Sequence, residues 1–109
     1  MHVGVPKEVK VAERRVGLTP ASVRELVAHG HEVTVEAGAG IGIGAPDEVY
    51  VAAGATIAVN AEAVWREADL VVKVKEPQEA ERAKLREGQL LFTYLHLAPD
   101  VPQTEELLE

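Results

Sequence analysis

Apolar residues fall in short runs of strand length, separated by segments of helical spacing, along the whole chain. The runs are continuous rather than strictly alternating, which is the pattern of strands buried on both faces of a parallel sheet. The first run covers 3–5 and stops at Pro6, and a charged stretch over 7–15 follows. Thr19 then offers an N-cap and Pro20 a first helical residue, with Val23, Leu26 and Val27 as the apolar stripe and Gly30 as the stop. A second strand is predicted over 31–35, a glycine-rich loop over 38–44, a short helix over about 47–53 ending at Gly54, and a third strand over 55–59. Asn60 caps a helix running through Trp65, in which Ala61, Val64 and Trp65 share the buried face. The run 70–75 is the fourth strand, closed by Glu76 and Pro77. A polar helix over 78–87 stops at Gly88, and a last strand over 89–95 runs into His96.

This alternation predicts an α/β fold with a mostly parallel, Rossmann-like (flavodoxin-like) sheet and helices on both faces. Residues 102–108 read as the opening turns of an amphipathic helix with no cap at its end, so the fold is expected to be truncated, the front portion of something longer. At 109 residues the chain is one domain's worth, with 47% apolar and 27% charged residues, the balance of a globular domain with a core. The net charge of -7 argues against nucleic acid or an anionic membrane surface as partner, because both need a basic footprint. No apolar run is long enough for a membrane span, no signal-peptide layout opens the chain, and cysteine is absent; the expected location is cytoplasmic.

In open parallel sheets ligands bind beyond the carboxyl ends of the strands, so the polar residues predicted there carry the candidate chemistry. Lys73 and Lys75 share one face at the end of the fourth strand, Tyr94 and His96 share one at the end of the fifth, and Arg15 lies in the first βα loop. An Arg for bidentate carboxylate binding, a Lys as donor and a His that exchanges protons near neutral pH make a site for a small keto or amino acid. Two solvated lysines and a structural histidine are the competing reading. Arg14 and Arg15 point opposite ways on an extended loop, so at most one faces the crevice.

Other motifs read as structural. Gly40-Ile41-Gly42-Ile43-Gly44-Ala45 fits a dinucleotide fingerprint only loosely: Pro46 and Asp47 follow at once, the next helix is barely two turns, and no acidic residue stands ready for a ribose. A tight turn is expected there. His29 and His31 have no third ligand nearby in sequence, and no metal is expected.

Five motifs in register resemble the amino-terminal part of the alanine dehydrogenases: Gly4-Val5-Pro6-Lys7-Glu8, Glu13 to Pro20 (ERRVGLTP), Glu36-Ala37-Gly38-Ala39-Gly40, Val72 to Pro77 (VKVKEP) and Thr93-Tyr94-Leu95-His96. The proton-translocating nicotinamide nucleotide transhydrogenases share the first motif and the layout, and an α-subunit piece of one is the alternative; a stand-alone small-molecule binding module is another. The resemblance implies oxidative deamination of L-alanine to pyruvate and ammonia with NAD. It assigns Arg15 to the substrate carboxylate, Lys75 to substrate contact and His96 to proton transfer, with Tyr94, Glu8 and Glu13 around the pocket. Residues 1–109 would then be the front of the substrate-binding domain. The NAD-binding domain would lie outside this chain, the chain would be inactive alone, and the full-length protein would be a homo-oligomer, a hexamer. Gln78-Glu79 departs from the family's more usual Leu-Pro, away from the proposed pocket.

Overall fold

The computed structural model describes residues 1–8, 15–74 and 88–93. Within them the chain forms β1 (His2–Val5), α1 (Pro20–Ala28), β2 (Glu32–Glu36), a 3₁₀ turn (Ile41–Ile43), α2 (Asp47–Ala52), β3 (Thr56–Ala58), α3 (Ala61–Glu67), β4 (Leu70–Lys73) and β5 (Leu90–Thr93). The five strands form one sheet in the order β3-β2-β1-β4-β5, and every pairing is parallel. The chain therefore steps outward from β1 to β3, then returns across the sheet to place β4 on the other side of β1. That reversal opens a crevice between the carboxyl ends of β1 and β4, the switch point where doubly wound sheets bind ligands.

Local chemistry sets the elements. Thr19 has an extended backbone and its Oγ1 accepts the N–H of Ser22 at 3.3 Å, while Asn60 Oδ1 accepts the N–H of Ala63 at 3.0 Å, so both predicted caps form. One core cluster joins the odd-numbered valines of β1 and β2 (Val3, Val5, Val33, Val35) and Val72 of β4 to Val23 of α1 and Tyr50 of α2. The other face carries a smaller cluster of Trp65, Ala68 and Val71, with Ala61 and Leu91 packed against it. Helices thus cover both faces, because parallel strands joined by right-handed crossovers switch faces when the direction of travel reverses.

Two strands differ from the apolar pattern. β4 ends at Lys73, short of residue 75, because the next N–H, that of Val74, leaves the strand ladder for the carboxylate of Glu8. β5 pairs with β4 on one side only, and Leu90 and Phe92 stay 56% and 52% exposed, so it is not buried on both faces within the described residues. The helix predicted over 78–87 and the one opening at 102 lie outside the described residues.

Candidate functional site

At the carboxyl ends of β1 and β4 the sequence places two opposite charges, and the fold buries them together. Lys73 Nζ lies 2.9 Å from Glu8 Oε1, with the two side chains 1% and 2% exposed. The other carboxylate oxygen, Oε2, accepts the backbone N–H of Val74 at 3.1 Å. A buried charge is tolerable only when paired and hydrogen-bonded, and each oxygen here has a donor. Lys73 is therefore neither the solvated lysine nor the crevice-facing one that strand-end position alone left open; it is a buried partner of Glu8.

Arg15 is exposed and stands at the mouth of the same edge. It borders a cavity of about 130 Å³ whose walls are Lys7 and Glu8 from the loop after β1 and Gly38, Ala39, Ile41 and Gly42 from the loop after β2. On its other side a cleft of about 310 Å³ runs past Val16, Gly17, Thr19, Ser22 and Ile43 to Val74, the residue just before Lys75. Arg15 thus links the first loop, the glycine-rich loop and the end of β4. Three features hold it there. The Lys7 N–H donates to Glu36 Oε1 at 2.8 Å, tying the two loops at their roots. Gly17 passes so close to the Val72 carbonyl that a Cβ would overlap it, so the segment after Arg15 lies flat on β4. The hydroxyl of Tyr50, fully buried in α2, donates to the Leu18 carbonyl at 2.7 Å. Burial also pushes the Tyr50 phenol up to about 12, so it stays a donor well into the alkaline range.

The glycine-rich loop is a wall of this site and not a phosphate cradle. A cradle needs backbone N–H groups aimed at the anion. Here the N–H of Gly38 goes to Asp47 Oδ1 at 2.8 Å, and those of Ala39, Ile41, Ile43, Gly44 and Ala45 go to carbonyls between Glu36 and Ile41. The helix that follows has six residues. The tight turn expected from the sequence is what forms.

Of the sequence-predicted site residues, Glu8 and Arg15 line one cavity. Glu13, Lys75, Tyr94 and His96 lie outside the described residues. Lys7 stood in the first motif of the resemblance without a role of its own, and Ile41 and Gly42 were read only as part of a turn.

A fully parallel sheet whose strand order reverses beside β1, with helices on both faces, defines a doubly wound α/β protein. Residues 4–109 match the family described as Alanine dehydrogenase/PNT, N-terminal domain. The chain belongs to that family. It is 54% identical over 108 residues to an alanine dehydrogenase of Mycolicibacterium smegmatis, covering 99% of this chain and 29% of that protein. It is 51% identical over 109 residues to one of Methanococcus maripaludis, again 29% of the relative's length. A solved L-alanine dehydrogenase superposes with a TM-score of 0.91 at 53% identity, covering 99% of this chain and 30% of the other. The transhydrogenase of Sinorhizobium meliloti superposes at 0.89 with 31% identity, covering 98% and 32%. The chain therefore matches an amino-terminal portion of alanine dehydrogenase and spans about 29% of the length of these relatives. The higher identity lies on the alanine dehydrogenase side.

Proposed function

We propose that this chain is the front portion of the substrate-binding domain of an NAD-dependent alanine dehydrogenase, which interconverts L-alanine, NAD and water with pyruvate, ammonia and NADH. The observation that carries the reading is the convergence at the switch point: Arg15 borders both concavities, and the cleft on one side of it ends at Val74, the residue before Lys75. A cavity of about 130 Å³ has the volume of roughly four waters, the scale of a three-carbon acid and not of a nucleotide.

In this reading the Arg15 guanidinium takes the substrate carboxylate through paired N–H donors, and the Lys75 ammonium faces the carbonyl oxygen, where negative charge grows as ammonia adds. His96 passes a proton to that oxygen as the carbinolamine forms and loses water, and takes one back in the deamination direction. Tyr94 and Glu13 flank the pocket. NAD supplies hydride exchange in this reaction and belongs to a part of the protein outside this segment, so the segment alone is inactive. The full-length protein is a cytoplasmic homo-oligomer in the same reading. Among the described residues no helix is long and apolar enough to cross a membrane.

Lys75→Ala and His96→Ala in the full-length protein test it, with pyruvate reduction followed at saturating ammonium and NADH. Each is expected to lower turnover by about a hundredfold or more, the usual size of a lost acid/base or charge-stabilising group. Near-normal turnover in both would overturn the assignment.

A further inference from the structure

The buried Glu8–Lys73 pair sits at the switch point, yet neither side chain reaches solvent. A pair of apolar side chains of similar volume would serve packing as well or better, since desolvating two charges costs about what their attraction returns. What an apolar pair cannot do is hold a direction. Glu8 spans the crevice with both oxygens engaged: Oε1 with the Lys73 ammonium, Oε2 with the N–H of Val74. The loop after β1 is thereby fixed to the last residues of β4. Glu8 is also among the residues that line the cavity shared with Lys7 and Arg15.

We infer that Glu8 and Lys73 are positioning residues for the substrate site, setting the backbone that presents Lys75 relative to the loop that presents Arg15. The inference rests on the reading of Arg15 and Lys75 as substrate-binding groups. Lys73 itself does not touch substrate; its charge is spent on Glu8, and it acts through the carboxylate it holds. Because a displacement of about 1 Å at a reacting group costs up to about a hundredfold in rate, a clamp one residue from Lys75 is placed to matter.

The test compares three variants of the full-length protein: Glu8→Met/Lys73→Met, Glu8→Asp and Lys75→Ala. The double variant removes both charges of the pair together and is expected to melt near the parent temperature. Its KM for pyruvate should nevertheless rise at least about tenfold, with turnover also reduced and the KM for NADH unchanged. Glu8→Asp keeps the charge but shortens the arm by one methylene, so it guards against misfolding of the double variant and should show a smaller rise in the same constant. Parent-like pyruvate kinetics in Glu8→Asp, or in a folded double variant, would overturn the inference, as would equal rises in KM for pyruvate and NADH, the mark of general loosening. If Lys75→Ala alone leaves pyruvate kinetics untouched, the fault lies with the reading of the site. If Lys75→Ala is impaired while the Glu8 variants are not, the pair serves the fold alone.

Discussion

The loops after β1 and β2 reach the same edge of one sheet with opposite chemistry. In a dinucleotide-binding unit the glycines follow the first strand and the pyrophosphate meets the helix behind them. Here the first loop carries the charges, Lys7, Glu8 and Arg15, while the glycines follow the second strand in a loop where Gly38 donates to Asp47 and Gly44 to the Ile41 carbonyl. The first loop is anchored from outside itself, by Glu36, Lys73, Val74 and Tyr50. The second is closed mainly on itself. An edge built this way sets a charged wall against a small, neutral one.

Breaking the anchor of the charged loop should have the largest effect. Glu8→Ala removes one partner of a buried ion pair and should cost about 3–5 kcal/mol of unfolding free energy. Chemical denaturation followed by the single, buried Trp65 measures it. A change at the glycine wall should be smaller. A Cβ at Gly40 would meet the Tyr50 ring and lie 2.5 Å from the Ala45 carbonyl oxygen, so Gly40→Ala should cost about 1–3 kcal/mol by overpacking.

Tyr50 connects the two loops, and removing its hydroxyl should have the least effect at neutral pH. Tyr50→Phe strands the buried Leu18 carbonyl, at about 1–2 kcal/mol. Its pH signature sharpens the comparison. The folded phenol ionises near 12 and the unfolded one near 10, so its contribution is complete below about pH 10 and is lost as pH rises toward 12. Between those limits the parent should lose stability at up to about 1.4 kcal/mol per pH unit more than Tyr50→Phe. Parallel stability curves for the two proteins across that window would remove Tyr50 as the ionising link.

Much of the frame was legible because it depends on local chemistry. Valine-rich runs, Thr19 and Asn60 caps and glycine stops act within a few residues, and the elements appear where those signals stand. The fate of Lys73 was not legible. Its position at a strand end left two readings level, and the deciding partner lies 65 residues away in sequence. The same separation hid the early end of β4, since the Val74 N–H is claimed by that distant carboxylate. The exposed flank of β5 follows from its place beside β4 alone among the described residues, which the apolar run of β5 could not report. At the site, the loop that bears Arg15 could be placed from topology, whereas the role of the glycine loop as its facing wall required the fold.

The central claim is that the crevice between β1 and β4 receives the substrate carboxylate on Arg15. A crystal structure of the full-length protein with pyruvate tests it most directly. The account predicts the pyruvate carboxylate within hydrogen-bond distance of the Arg15 guanidinium, its carbonyl oxygen toward Lys75, and the Glu8–Lys73 pair intact beneath it. Pyruvate bound elsewhere, with Arg15 making no contact to it, would contradict the account.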